Sequence, residues 1–300
     1  MPRRHVLLAL LVVLVWGANF VVIHVGLDTF PPLLFVALRF AAMAPIGLLV
    51  LRRGPGVPVR WVVAIGLFIS AGQFGLLFVS LDRGMPAGLA SLVLQVQVLF
   101  TIAIAVAVLG ERPSRRQIAG AAVALGGLGV IAAGRAEAVP LGAMALCLAA
   151  GASWAVGNVC TRVARPPDPI ALVMWSALVP PLPLIGLSFA FEGSHRIWHA
   201  LSHPQAGGVL ALTYVIVLST VFGYGAWTWL LARHAASRVA PFTLLVPVVG
   251  IAAAWVALGE RPSTVELLGG LVVIAGLALT AWTPGAATSE PPVAAGTVQP

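Results

Sequence analysis

Apolar residues fall in long blocks of roughly twenty, separated by short stretches that collect Gly, Pro and Arg. A helix of about 20 apolar residues matches the thickness of a bilayer's hydrocarbon layer. Read on that basis, the pattern predicts ten spans, at 6–27, 33–51, 61–81, 87–109, 117–134, 141–163, 170–191, 207–232, 236–258 and 265–282. Arg3-Arg4 followed by an apolar run resembles a signal peptide, but the run is full span length and has a counterpart later in the chain, so it is expected to stay. The stretch 284–300, rich in Pro, Ala, Gly and Thr, reads as a disordered tail.

The blocks repeat. Leu109-Gly110-Glu111-Arg112-Pro113-Ser114 recurs as Leu258-Gly259-Glu260-Arg261-Pro262-Ser263, 149 residues later. Both copies end one apolar run and precede a Gly-rich one. The first is followed by Arg115-Arg116 and Gln117, the second by Thr264-Val265 and Glu266. Basic residues gather on cytoplasmic loops, so the two copies are expected on opposite faces of the membrane. That is an inverted-topology repeat, and each half must then hold an odd number of spans, here five. Other positions echo across the halves: Trp16 and Asn19 with Trp154 and Asn158, Pro31 with Pro169, and Gly120 and Gly127 with Gly269 and Gly276. The expected fold is an all-α integral membrane protein of ten transmembrane helices in two inverted-topology five-helix repeats, 1–135 and 136–283, followed by the tail. The Gly-rich fifth and tenth spans offer close-packing faces, for the two halves or for a second copy.

Composition strengthens this picture. Hydrophobic residues make up 60% of the chain and charged residues 9%, against about 25% charged in a soluble domain. The net charge of +8 does not point to nucleic acid, because the Arg residues sit in short loops between apolar runs. With the N-terminus inside, Arg3, Arg4, Arg52, Arg53, Arg60, Arg112, Arg115, Arg116, Arg162, Arg165, Arg233 and Arg238 fall on the cytoplasmic side. Only Arg83, Arg135, Arg196 and Arg261 fall outside, so both termini are expected in the cytoplasm. Cys147 and Cys160 share one span about 20 Å apart, too far for a disulfide.

The Trp-Gly-x-Asn-Phe opening from Trp16 to Phe20, the Arg39-Phe40 pair and the twice-used Leu-Gly-Glu-Arg endings resemble the EamA-type drug/metabolite transporter family, over about residues 6–282. Within it the sequence is most similar to the aromatic amino acid exporters. The resemblance implies ten helices in two inverted halves and export of metabolites across a bacterial inner (plasma) membrane. One departure stands out. The family usually has Pro in the middle of the fourth and ninth spans; here the ninth has Pro247 but the fourth has Val98, which leaves the first-half kink without its usual cause.

Polar groups in hydrocarbon are costly, so those kept mid-span are candidates for a substrate path. Asn19, Gln73 and Asn158 lie in the first, third and sixth spans, and Tyr224 in the eighth. In the fourth, Ser91 and Gln95 share a helix face at i, i+4, as do Gln97 and Thr101; one pair is expected to face a cavity, with Ser91 and Gln95 preferred. Each amide can equally bond a neighbouring helix. Trp16 and Trp154 lie deeper than an interfacial belt requires and rank above Trp175, Trp227 and Trp229 for stacking on a substrate. The substrate-binding set is thus Trp16, Asn19, Gln73, Ser91, Gln95, Trp154, Asn158 and Tyr224. Arg39 could snorkel outward or face the cavity and attract a carboxylate; it is expected to snorkel or to pair internally, and Glu111 and Glu260 to pair with Arg at the membrane boundary. His195, His199 and His203 are spaced for one helix face, as metal ligands or as part of an interfacial segment with Trp198. No phosphate loop, catalytic triad or zinc motif is present; no cofactor and no enzymatic activity are expected.

No predicted span has an acidic residue near its middle, which argues for uncoupled movement down a gradient or exchange rather than proton drive. The expected function is a secondary transporter exporting small metabolites, amino acids including aromatic ones, by alternating access. Other cargo (nucleotide-sugars or drugs) and a membrane-embedded lipid-processing enzyme are the alternatives. The expected partners are a small-molecule substrate and membrane lipid, with the chain a monomer or homodimer.

Overall fold

The computed structural model describes residues 1–50, 54–134, 139–234 and 236–281. The expected tail 284–300, the repeat boundaries at 135–136 and 283, and Arg52, Arg53 and Arg135 lie outside the described residues. Among the described residues all regular structure is helical. The helices are α1 (Arg3–Leu27), α2 (Pro32–Val50), α3 (Val59–Asp82), α4 (Ala87–Leu109), α5 (Arg115–Gly134) and α6 (Leu141–Ala164). They continue with α7 (Pro169–Ser176 and, after a break, Pro181–Phe191), α8 (Ser194–Ser202), α9 (Ala206–Arg233), α10 (Ala240–Leu258, led by the turn Ala236–Val239) and α11 (Thr264–Ala281). Seven are long and apolar enough to cross a bilayer by length and composition: Arg3–Leu27, Val59–Asp82, Ala87–Leu109, Leu141–Ala164, Ala171–Phe191, Ala206–Arg233 and Ala240–Leu258. Pro32–Met43 and Thr264–Thr280 are apolar but shorter.

Within the described residues, each apolar run read from the sequence coincides with helix, with one correction. The run at 170–191 is interrupted between Ser176 and Pro181. Pro181 has no N–H to continue the ladder and its ring, with that of Pro180, crowds the preceding turn.

The repeated six-residue motif is a stop–turn–start device. Gly110 and Gly259 take left-handed backbone angles, φ 65° and 70°, which end α4 and α10 where a side chain would be strained. Ser114 and Ser263 then cap α5 and α11. The Gln117 N–H donates to Ser114 Oγ at 3.2 Å while the Ser114 N–H donates to Gln117 Oε1 at 2.8 Å. Ser263 and Glu266 make the same reciprocal pair at 3.2 and 2.7 Å. The Gln-to-Glu difference between the halves leaves the cap intact, because either side chain offers the acceptor.

The halves also share departures from regular helix. α3 widens to a π-helix over Gly66–Gly72, and α9 does so over Val215–Phe222, which begins 149 residues later. α4 tightens to a 3₁₀ turn at Leu94–Val96, and α10 at Ala240–Leu245, which contains the positions 149 residues on. The first-half break therefore forms with Val98 in place of proline.

Packing is crosswise. α1 lies against α9 and α10, whereas α6 lies against α3 and α4; α2 meets α7, and α5 meets α11. The main core gathers around α1–α4, where Phe35, Phe74 and Phe78 contact edge to face, with ring centroids 5.2 Å (Phe35–Phe78) and 6.4 Å (Phe74–Phe78) apart. α5 and α11 approach closely enough for backbone to meet backbone. A Cβ placed on Gly120 would lie 2.5 Å from the Gly276 carbonyl oxygen, and one on Gly127 would lie 2.8 Å from that of Gly269. Rising numbers on one helix meet falling numbers on the other, so these two helices run antiparallel. The glycine faces noted in the sequence are thus used within the chain. We expect Gly127→Ala to lower the melting temperature of the purified protein by several degrees, since an inserted methyl group must displace backbone at a cost of about 1–3 kcal/mol. Gly129→Ala, which meets open space, should leave it unchanged or raise it through helix propensity.

Candidate functional site

The helix irregularities surround a cavity of about 290 Å³, walled by α1, α2, α3, α4, α6, α9 and α10. A second cavity of about 320 Å³ adjoins it and shares Arg39, Phe74, Trp154 and Tyr224 with the first. Seven of the sequence candidates border the first: Trp16, Asn19, Gln73, Ser91, Gln95, Trp154 and Tyr224. Asn158 borders the second. Volumes near 300 Å³ suit a small molecule.

Each side chain is held by its neighbours in a definite way. Trp16 donates through Nε1 to the Ser219 carbonyl at 3.0 Å, within the π-helical stretch of α9. A π-turn disturbs the regular backbone ladder and so leaves carbonyls available for side chains. The Trp16 ring sits 5.3 Å from that of Tyr224 and 5.4 Å from that of Trp227, forming an aromatic wall. Trp227, ranked lower from the sequence, also borders the cavity, as Trp154 does. Trp229 instead packs against His5 and Arg233, and Trp175 against the small cluster of Val62, Ile65 and Leu172.

The pair preferred on α4, Ser91 and Gln95, borders the cavity, and Gln97 joins it without Thr101. Ser91, Gln95 and Gln97 all border the cavity, because the 3₁₀ turn at Leu94–Val96 rotates the lower half of α4 relative to the upper. The i, i+4 reading assumed one continuous α-helix. Of these, Ser91 is engaged in structure. Its hydroxyl donates to the Gly88 carbonyl at 2.6 Å and lies 3.5 Å from that of Pro247, pressed against Gly250. Asn158 is likewise engaged: its Nδ2 donates to Gln97 Oε1 at 3.1 Å and to Thr101 Oγ1 at 3.4 Å, tying α6 to α4. Among the described residues, Gln73, Gln95 and Asn19 make no such side-chain link across the helices. Asn19 Oδ1 is buried without a hydrogen-bond partner.

Of the two placements expected for Arg39, snorkelling is contradicted. The residue is 1% exposed and borders both cavities. Its Nε donates to Thr220 Oγ1 at 3.0 Å, and Thr220 in turn donates to the Val215 carbonyl at 2.7 Å, across the π-turn. The guanidinium carbon lies 4.0 Å from the Phe74 ring centroid, where the ring's negative face attracts the cation. Its Nη1 has no partner. The signal was present as a charge well inside a span, which by default marks function. Counted from Pro169 as Arg39 is from Pro31, the repeat position is Ala177, so the repeat does not demand a charge there. α2 joins the walls through this residue.

The two glutamates of the repeated motif part company. Glu111 pairs with Arg162 at 2.5 Å, an exposed contact between α4 and α6. Glu260 does not serve as a boundary partner for Arg261. Its two carboxylate oxygens each accept a backbone N–H at 3.0 Å, from Ala87 and Gly88 at the start of α4. A carboxylate is well placed there, at the positive end of the helix. Glu192 similarly accepts the N–H groups of Leu33 and Leu34, at 2.6 and 3.2 Å, at the start of α2.

His195, His199 and His203 lie along and just past α8, stacked at centroid separations of 6.5 and 5.1 Å. Among the described residues no group of three His, Cys, Asp or Glu is disposed to hold a metal ion.

Comparison with known proteins agrees with this architecture. The model of the EamA-like transporter family matches twice, at residues 3–133 and 141–282, one copy in each half. A Salmonella typhimurium protein named "Probable amino-acid metabolite efflux pump" is 44% identical over 92% of this chain and 94% of its own length. One of the same name from Escherichia coli K12 is 42% identical over the same shares. A "Probable terminal-alkyne amino-acid exporter" of Streptantibioticus cattleyicolor is 29% identical over 90% of both chains. A crystal structure 23% identical in sequence superposes with a TM-score of 0.63 over 93% of this chain and 96% of its own, which bears on the fold alone. With two family matches that together span nearly the whole sequence, the chain belongs to the EamA-like transporter family.

Proposed function

We propose that this protein is a secondary transporter of the bacterial inner membrane that exports small metabolites, most of all amino acids including aromatic ones. The observation that carries the reading is the cavity between the two halves, lined by aromatic rings, amides and one arginine. Its size fits one amino acid, and the names of relatives at 44% and 42% identity, nearly full length, favour the same cargo.

The mechanism is alternating access between two inverted five-helix units, with ten membrane crossings and both termini in the cytoplasm. The antiparallel course of the repeat-related α5 and α11 supports inversion, as does the crosswise packing of α1 and α6. The substrate-binding set is Trp16, Asn19, Gln73, Gln95, Trp154 and Tyr224, with Ser91 and Asn158 bracing the walls. Among the described residues neither cavity is bordered by Asp or Glu, which favours uncoupled movement. With the N-terminus inside, Glu260 lies at the outer face. Its grip on Ala87 and Gly88 then closes that side, while Glu111 at the inner face is occupied by Arg162. The positions 149 residues beyond Ala87 and Gly88 are Ala236 and Ser237, at the start of the helical stretch leading into α10. In the opposite state Glu111 takes those N–H groups and Glu260 lets go.

Purified protein in liposomes should release preloaded radiolabelled phenylalanine with no imposed pH gradient; strict dependence on such a gradient would overturn the uncoupled part. A cysteine at Gln95 should react severalfold faster with an impermeant reagent applied outside once Glu260→Ala removes the outer clamp. An unchanged rate would remove the clamp from the mechanism.

A further inference from the structure

Two buried polar atoms at the cavity are unmatched, and they are opposite in kind. Arg39 Nη1 is a cationic donor with no partner, and Asn19 Oδ1 is a neutral acceptor with no partner. Both side chains are more than nine-tenths buried, and both border the same 290 Å³ space. Leaving either group unpaired away from water costs free energy, and the charged one costs more. The protein has met only part of the demand of Arg39. Thr220 takes Nε, and Phe74 and Phe40 offer ring faces to the guanidinium carbon at 4.0 and 5.4 Å. Among the described residues no carboxylate pairs with it. A guanidinium fixed by its neighbours, with a free terminal nitrogen on a cavity, is suited to a carboxylate, whose planar oxygens match its geometry. An amide oxygen on the same cavity is suited to an ammonium group.

Building on the amino-acid reading above, we propose that Arg39 holds the carboxylate of the transported molecule while Asn19 Oδ1 accepts a hydrogen bond from its ammonium group, so that the site takes α-amino acids as zwitterions. The side chain of the substrate then lies along Trp16, Tyr224 and Trp227, which tolerate apolar and aromatic groups alike. The arrangement disfavours two neighbours of the amino acid in chemical space. An amine without a carboxylate brings a second positive charge beside Arg39, and an acid without an amine leaves Asn19 unmatched. A role for Arg39 that was purely structural would consume Nη1 within the protein, as Nε is consumed by Thr220.

The test is binding to the purified full chain, read by calorimetry, of phenylalanine, phenylalaninamide and 3-phenylpropanoate. Wild-type protein should bind phenylalanine best. Arg39→Gln should weaken phenylalanine by roughly ten- to a hundredfold, as expected for loss of a hydrogen bond to a charged group, while tightening the amide by relieving its repulsion from the guanidinium. Asn19→Leu should bring phenylalanine down towards 3-phenylpropanoate and leave that acid unchanged. Arg39→Lys, which keeps the charge, should recover part of the loss and keeps the test alive where Arg39→Gln fails to fold. If wild-type protein binds none of the three, the amino-acid reading falls and this inference with it. If wild-type protein prefers phenylalanine and the variants keep that same ranking, or weaken all three equally, the inference alone is overturned.

Discussion

A bilayer offers no water to satisfy a polar group, so every backbone N–H, carbonyl and side-chain charge within it must find its partner in the protein. That constraint organises this molecule. It explains why helix breaks occur where another part of the chain meets the freed group, as Trp16 meets the Ser219 carbonyl and Ser153 the Phe68 carbonyl at 2.7 Å. It explains why helix starts are met by carboxylates, Glu260 on α4 and Glu192 on α2. Among the described residues it also singles out the two cavity-bordering atoms left unmet, Arg39 Nη1 and Asn19 Oδ1, as the places where a substrate would complete the set.

The repeat works at the level of backbone shape more than of side chains. π-helical and 3₁₀ stretches recur at matching places in the halves although the residues there differ: Gly66–Gly72 against Val215–Phe222, and Leu94–Val96 against Ala240–Leu245. Side chains then break the symmetry. Arg39 faces the cavity from α2, while its counterpart Ala177 sits in the break of α7. One half thus supplies the charge, and the π-turn of the other half supplies the hydroxyl of Thr220 that holds it. Neither half makes the site alone.

The helices were legible because span-length apolar runs have few other uses, and the turn motif was legible because Gly, Ser and Gln or Glu have fixed work at helix ends. The aromatic and amide lining was mostly legible from depth and polarity. Two things were not. The number of α4 residues on the cavity depended on a local change in helical pitch that no residue type announces, since Val98 stands where proline would have signalled it. The burial of Arg39 depended on Phe74 and Thr220, which reach it from α3 and α9; sequence spacing within α2 holds no trace of either. Ser91 and Asn158 border the cavities while their side chains are already bonded within the protein, Ser91 to the Gly88 carbonyl and Asn158 to Gln97, and residue type alone does not reveal those bonds.

The central claim is that one five-helix unit is used twice, in opposite orientations, with the substrate path between. The most direct measurement is the sidedness of the two turn motifs, with single cysteines at Ser114 and Ser263 in a background of Cys147→Ala and Cys160→Ala. An impermeant maleimide applied to intact cells should label the cysteine at 263, and should reach the one at 114 only after permeabilisation. Labelling of both from the same side would contradict inversion, and with it the exchange of Glu260 for Glu111 between the two faces.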